Sequence, residues 1–76
     1  MKNLSLCDFK AGKTVVVLKI NEAEYILDRY LSLGIYEGIK LKIFLKSGRN
    51  IIVKAGNAKI AFMGNCASKI ICSEIS

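Results

Sequence analysis

The side chains able to do chemistry are few in this chain. Histidine is absent, which removes the commonest general base and the commonest transition-metal ligand together. The acids number six. Of these, Glu24 and Asp28 fall one helical turn apart and can meet, but such a pair reads first as a solvated helix face and only at long odds as a catalytic dyad. Three cysteines remain, Cys7, Cys66 and Cys72. Structural zinc wants four Cys or His ligands in close pairs, and three scattered thiols do not supply them. Cys72, in an apolar run, reads as a small buried hydrophobe, whereas Cys7 and Cys66 read as exposed thiols able to pick up metal adventitiously. No serine has a base in a recognisable motif. Gly34 and Gly38 lack the Lys-Ser/Thr that a phosphate-binding loop requires. The sequence carries no enzyme signature, and it calls for no cofactor and no metal ligand set.

Two other surfaces hold interest. Lys40, Lys42 and Lys46, with Phe44 among them and Lys54 alongside, form a basic stripe with one aromatic. That is the chemistry of a single-stranded nucleic-acid platform, weighed against a solvated outer face whose lysines block edge pairing. One aromatic and no RNP pattern favour the solvated face. Ile35, Tyr36 and Glu37 lie between Gly34 and Gly38. An apolar residue held on a glycine-bounded turn beside a helix suits docking, and it suits equally a plug on the open end of a barrel.

The elements that must position these residues centre on Asn21 to Ile43. Asn21 is placed as an N-cap, with Glu24 as its capping-box partner. Ala23, Ile26, Leu27, Tyr30, Leu31 and Leu33 make one apolar helical face, leaving Glu22, Asp28, Arg29 and Ser32 to water. Gly34 is placed as a left-handed stop, with Ile35 folding back on Tyr30. Before the helix, Leu4, Leu6 and Phe9 lead into a turn at Lys10–Lys13. Thr14–Ile20 is a strand by composition, with Val16, Leu18 and Ile20 favoured inward. Then Ile39–Lys46 alternates, with Ile39, Leu41, Ile43 and Leu45 on one face and the lysines and Phe44 on the other. Ser47–Asn50 turns, Ile51–Ala55 returns, Gly56-Asn57 is a hairpin signal, and Ala58–Met63 completes a meander. A helical turn over Gly64–Ala67 and a last strand over Lys69–Ser73 follow. Five short strands with one inserted α-helix predict a mostly β domain, a small SH3-like β-barrel that removes its edges by closing.

Composition agrees. A chain of 76 residues allows one small domain, read as 1–76. Its 53% apolar content argues for a packed core. A formal charge of +6 favours an acidic partner: nucleic acid, an anionic membrane or an acidic protein face. No run is long enough for a membrane span and no leader pattern opens the chain, so a cytoplasmic location is expected.

Arg29-Tyr30-Leu31-Ser32-Leu33-Gly34-Ile35-Tyr36-Glu37-Gly38, followed by Ile39-Lys40-Leu41-Lys42-Ile43, resembles the R-x-L-x-x-L-G-x-x-x-G-x-x-(V/I)-x-(V/I) stretch of the FeoA family. Leu6 to Gly12 is similar to the family's L-S-x-L-x-P-G opening, with Ala11 in the proline position. Val53, Gly56, Ile60–Phe62 and Ala67–Ile70 resemble its ending. The family often has proline where Glu37 stands. The resemblance implies a small SH3-like accessory of FeoB, the bacterial ferrous-iron transporter with a cytosolic GTPase domain. The same module ends metalloregulators of the diphtheria-toxin-repressor type. It implies non-catalytic docking that biases the transporter's assembly or nucleotide cycle, and the expected contact surface is Tyr30, Leu33, Ile35, Tyr36 and Glu37. Gly34, Gly38 and Gly56 are the expected structural turns. An exposed strand edge leaves a homodimer open. The alternative is a basic nucleic-acid-binding barrel using Lys40, Lys42, Phe44, Lys46 and Lys54.

Overall fold

The computed structural model describes residues 4–63 and 65–75. Its elements, in chain order, are β1 (Leu4–Ser5), a 3-10 turn (Leu6–Asp8), β2 (Thr14–Ile20), α1 (Glu24–Ser32), β3 (Lys40–Ser47), β4 (Asn50–Ala55), β5 (Ala58–Phe62), a second 3-10 turn (Ala67–Lys69) and β6 (Ile70–Glu74). The strands form one antiparallel sheet in the order β1-β6-β2-β3-β4-β5. This is the expected mostly β fold with one helix inserted. The sheet curls around its core, but β1 and β5 remain its two edges. The barrel is therefore open, where closure was expected. The Gly64 part of the expected helical turn lies outside the described residues.

Two bulges decide which side chains face inward. In β2 the register with β6 shifts between Val17 and Lys19. Val15, Val17 and Ile20 are buried and Leu18 is exposed, so the expected inward set of Val16, Leu18 and Ile20 holds only at Ile20. An extra residue in one strand reverses the alternation beyond it, and a run of four apolar residues is compatible with either phase. In β3 the register with β4 shifts between Ile43 and Leu45. Leu41 and Ile43 are buried as expected, but Leu45 is turned out into solvent. Lys46 comes opposite buried Ile51, and its ammonium donates to the Cys7 carbonyl at 2.6 Å. Lys46 therefore leaves the basic stripe in which the alternation placed it.

The helix also departs from its expected start. The N-cap is Ala23, without a side-chain cap. The Ala23 carbonyl accepts from the amides of Ile26 and Leu27 at 2.9 and 3.0 Å. Asn21 does not cap, because it lies two residues ahead of that N-cap; its backbone amide donates to the Lys69 carbonyl at 2.8 Å and binds this segment to the second 3-10 turn. Glu22, expected in water, has a side chain only 8% exposed and pairs with Lys69 at 3.5 Å. The capping box of this chain lies elsewhere. The Ser5 amide and hydroxyl both donate to the Asp8 carboxylate, at 3.1 and 2.9 Å.

Leu6, Val15, Val17, Leu41, Ile43, Ile51, Val53 and Ile70 fill the core between the curled strands. Fully burying each such side chain contributes about 1.5–3 kcal/mol relative to exposure. Cys72 is wholly buried among them, and burial pushes its thiol from 9.0 up to about 12. It is a core side chain, as its apolar strand suggested. Cys7 is half-buried and Cys66 exposed.

Candidate docking site

The C-terminus of α1 is built by local sequence. Gly34 takes φ +89°, a conformation that costs a residue with a Cβ about 1–2 kcal/mol. The Gly34 amide donates to the Leu31 carbonyl at 3.0 Å and the Ile35 amide to the Tyr30 carbonyl at 2.8 Å. These are the two bonds of a Schellman stop, and Ile35 is buried by the reversal. The chain then makes a second turn, in which the Ile39 amide donates to the Tyr36 carbonyl at 3.2 Å. Gly38 sits at its third position with φ +96°, as a type II turn requires. The Gly38 amide donates to the Val17 carbonyl at 2.7 Å, so this turn is fastened to β2. Gly56 opens the β4–β5 hairpin at φ +62°, and all three expected turn glycines are at positive φ.

Between α1, the end of β2 and this fastened turn lies a cleft of about 290 Å³. Ile20, Leu27, Leu31, Ile35 and Tyr36 supply its apolar wall, and Asp28 and Glu37 its two carboxylates. Leu31 is 59% exposed and Tyr36 48% exposed, so both present apolar area to solvent. Two acids on one cleft stand out in a chain of charge +6.

Of the five residues singled out from sequence, Ile35, Tyr36 and Glu37 meet at this cleft. Tyr30 and Leu33 do not line it. Tyr30 is 7% exposed and lies beneath the helix, its ring edge-on to Phe62 with centroids 5.6 Å apart. Burial pushes its hydroxyl from 10.0 up to about 12, helped by hydrogen bonding and charge at Cys66 and by the Glu22 carboxylate. Leu33 is exposed at the helix end. Sequence reading missed Ile20, Leu27, Asp28 and Leu31 as cleft residues. Leu27 and Leu31, four apart on one helix face, were the available signal, but the spacing alone read as core.

Among the described residues, no group of three or more His, Cys, Asp or Glu side chains converges as a metal site. None of their helices is long and apolar enough to cross a membrane.

The FeoA domain family matches residues 4–74. This chain belongs to the FeoA family. Membership implies a role in ferrous iron transport, and FeoA domains are small non-catalytic accessories. No curated protein matches the chain in sequence. Among solved structures, the chain is similar to an iron uptake regulatory protein, FeoA, at 17% identity and TM-score 0.84, covering 99% of this chain and 100% of that one. It is similar to FeoA from Chlorobium tepidum at 23% identity and TM-score 0.86, covering 96% and 71%. It also matches a manganese-dependent transcriptional repressor at 20% identity and TM-score 0.87, covering 99% of this chain and 42% of that one. At these identities the likeness shows the fold, which is SH3-like.

Proposed function

We propose that this FeoA-family chain, as one module over 1–76, is a non-catalytic cytoplasmic adaptor that docks on the cytosolic face of a FeoB-type ferrous-iron transporter. Docking modulates the transporter's assembly or GTPase cycle. The observation that carries this reading is the cleft between α1 and the Tyr36–Ile39 turn, whose walls are set by the Schellman stop and by the bond from Gly38 to Val17. A cleft with fixed walls binds without first ordering its own loops, which lowers the entropic cost of association. Its apolar wall and its two acids, Asp28 and Glu37, suit an apolar side chain flanked by Lys or Arg on the partner. Tyr36 is the anchor on this side, an amphipathic aromatic of the kind enriched where binding energy concentrates.

Affinity capture from solubilised membranes and cytosol, at low and moderate salt, tests the reading. Recovery of a FeoB-type transporter that survives moderate salt supports it. Recovery of nucleic acid that washes off with salt, and no transporter, replaces it with the nucleic-acid alternative, because phosphate-driven binding falls steeply with ionic strength.

A further inference from the structure

Away from the cleft, the outward face of β3, β4 and β5 has a composition that solubility alone does not explain. Lys42 stands directly opposite Lys54, and Lys54 directly opposite Lys59. Like charges in cross-strand register are destabilising. The two ion pairs among the described residues use Lys13 and Lys69, so neither relieves this row. Protection of a sheet edge accounts for Lys59 on β5. It does not account for Lys54, because β4 is an interior strand between β3 and β5.

The bulge in β3 places an apolar row beside the basic one. Leu45 is opposite Ile52, and Ile52 opposite Ala61. Ile52 lies between the buried Ile51 and Val53, so this row faces outward with the lysines. Leu45 and Phe44 are each about half exposed, at 47% and 51%, and Met63, just past β5, is exposed as well. The Lys59 ammonium lies 4.1 Å from the centre of the Phe44 ring.

We infer that this face binds the surface of an anionic phospholipid bilayer. Three adjacent ammonium groups meet lipid phosphates, and the neighbouring Leu45, Ile52 and Phe44 side chains enter the interfacial layer. Long lysine side chains suit this boundary, since their stems lie along apolar surface while the charge reaches the headgroups. Basic and apolar groups side by side are the pattern of surface-bound amphipathic segments. Nucleic acid fits less well. Base stacking is served by several aromatic faces, and this sheet face offers Phe44 alone, with Lys59 over one side of its ring. A row of Leu, Ile and Ala has no side-chain donor or acceptor for a base. The inference uses no residue of the docking cleft, so either can fail alone.

The test is co-sedimentation of the protein with vesicles of phosphatidylcholine alone and of phosphatidylcholine mixed with phosphatidylglycerol, beside a fluorescent single-stranded oligonucleotide. The expected result is binding to the anionic vesicles only. Lys42→Gln or Lys54→Gln weakens it about fivefold each, the loss of one interfacial charge, and Lys54→Glu weakens it further. Leu45→Ser lowers the part of the binding that persists at raised salt, which Ile52 and Phe44 share. Lys54→Glu sets a carboxylate between two lysines and melts no lower than wild type, so its loss of binding reports the surface and not the fold. Equal binding to both vesicle types, wild-type binding by Lys54→Glu, or binding to the oligonucleotide without binding to vesicles would each overturn the inference.

Discussion

The Ile35 amide donates to the Tyr30 carbonyl at 2.8 Å, and through this bond the end of α1 is joined to the residue that leads into the Tyr36–Ile39 turn. Tyr30 is fixed on the core side by Phe62. Ile35 passes that position on to Tyr36 and Glu37, which line the cleft. The glycine between helix and turn allows the connection. Gly34→Val requires a β-branched residue at φ +89° and is expected to lower stability by roughly 1–2 kcal/mol or more. Denaturant unfolding measures this, and a curve superimposable on wild type would show that the stop tolerates a side chain.

Tyr30 and Tyr36, six positions apart in sequence, differ in burial, at 7% and 48% exposed. Tyr30→Ala removes a buried ring and is expected to cost about 3–5 kcal/mol of stability. Tyr36→Ala removes a half-exposed ring and is expected to shift stability by no more than about 0.5 kcal/mol, while weakening capture of the transporter. Unfolding and capture measured on both variants separate the roles. A Tyr36→Ala protein that binds as wild type removes this side chain from the docking surface.

Alkaline pH should weaken the fold through Tyr30 and Cys72. Both are held protonated by burial, at about 12 against 10.0 and 9.0 for the free groups. Their contribution is intact below about pH 9 and is lost as pH rises toward 12, because the unfolded chain releases these protons first. Tyr30→Phe removes the tyrosine share of this fall and Cys72→Ala the thiol share, each at some cost in stability at neutral pH. Chemical unfolding at a series of pH values gives the slopes. A Tyr30→Phe slope equal to wild type above pH 10 would exclude Tyr30 as a source.

The Lys10–Lys13 turn offers a stabilising change. The Lys13 amide donates to the Lys10 carbonyl at 3.3 Å and Gly12 has φ +92°, which places Ala11 at the second position of a type II turn, a site that favours proline. Ala11→Pro is expected to raise stability by about 0.4–1 kcal/mol by restricting the unfolded chain. Thermal unfolding would read this as a higher midpoint, and a lower midpoint would show that Ala11 does not have the backbone angle proline needs.

What the sequence made legible was local. The Schellman stop, the Gly38 turn and the Gly56 hairpin each depend on a few adjacent residues, and each formed where the glycine stands. The meander and the burial of Cys72 followed from composition and alternation. The misplaced features depend on distant partners. The helix starts two residues later than an Asn21 cap requires, in a segment whose Asn21 amide and Glu22 carboxylate both bind Lys69, far along the chain. The bulges at Leu18 and Phe44 are invisible in runs whose residues suit either face. Leu31 looked like core because its spacing matches Leu27, and only the packing of α1 decides that it borders an open cleft. β1 is two residues long and exists through its pairing with β6, which no local pattern announces.

The most direct test of the adaptor account is photo-crosslinking in cells that express the transporter, from a benzophenone amino acid placed at position 36 or at position 25. Tyr25 is the control: it is an aromatic on α1, 71% exposed and outside the cleft lining. The account predicts an adduct with the FeoB-type transporter from position 36 and none from position 25. An adduct from position 25 alone, or none from either position while capture still recovers the transporter, would contradict docking through the cleft.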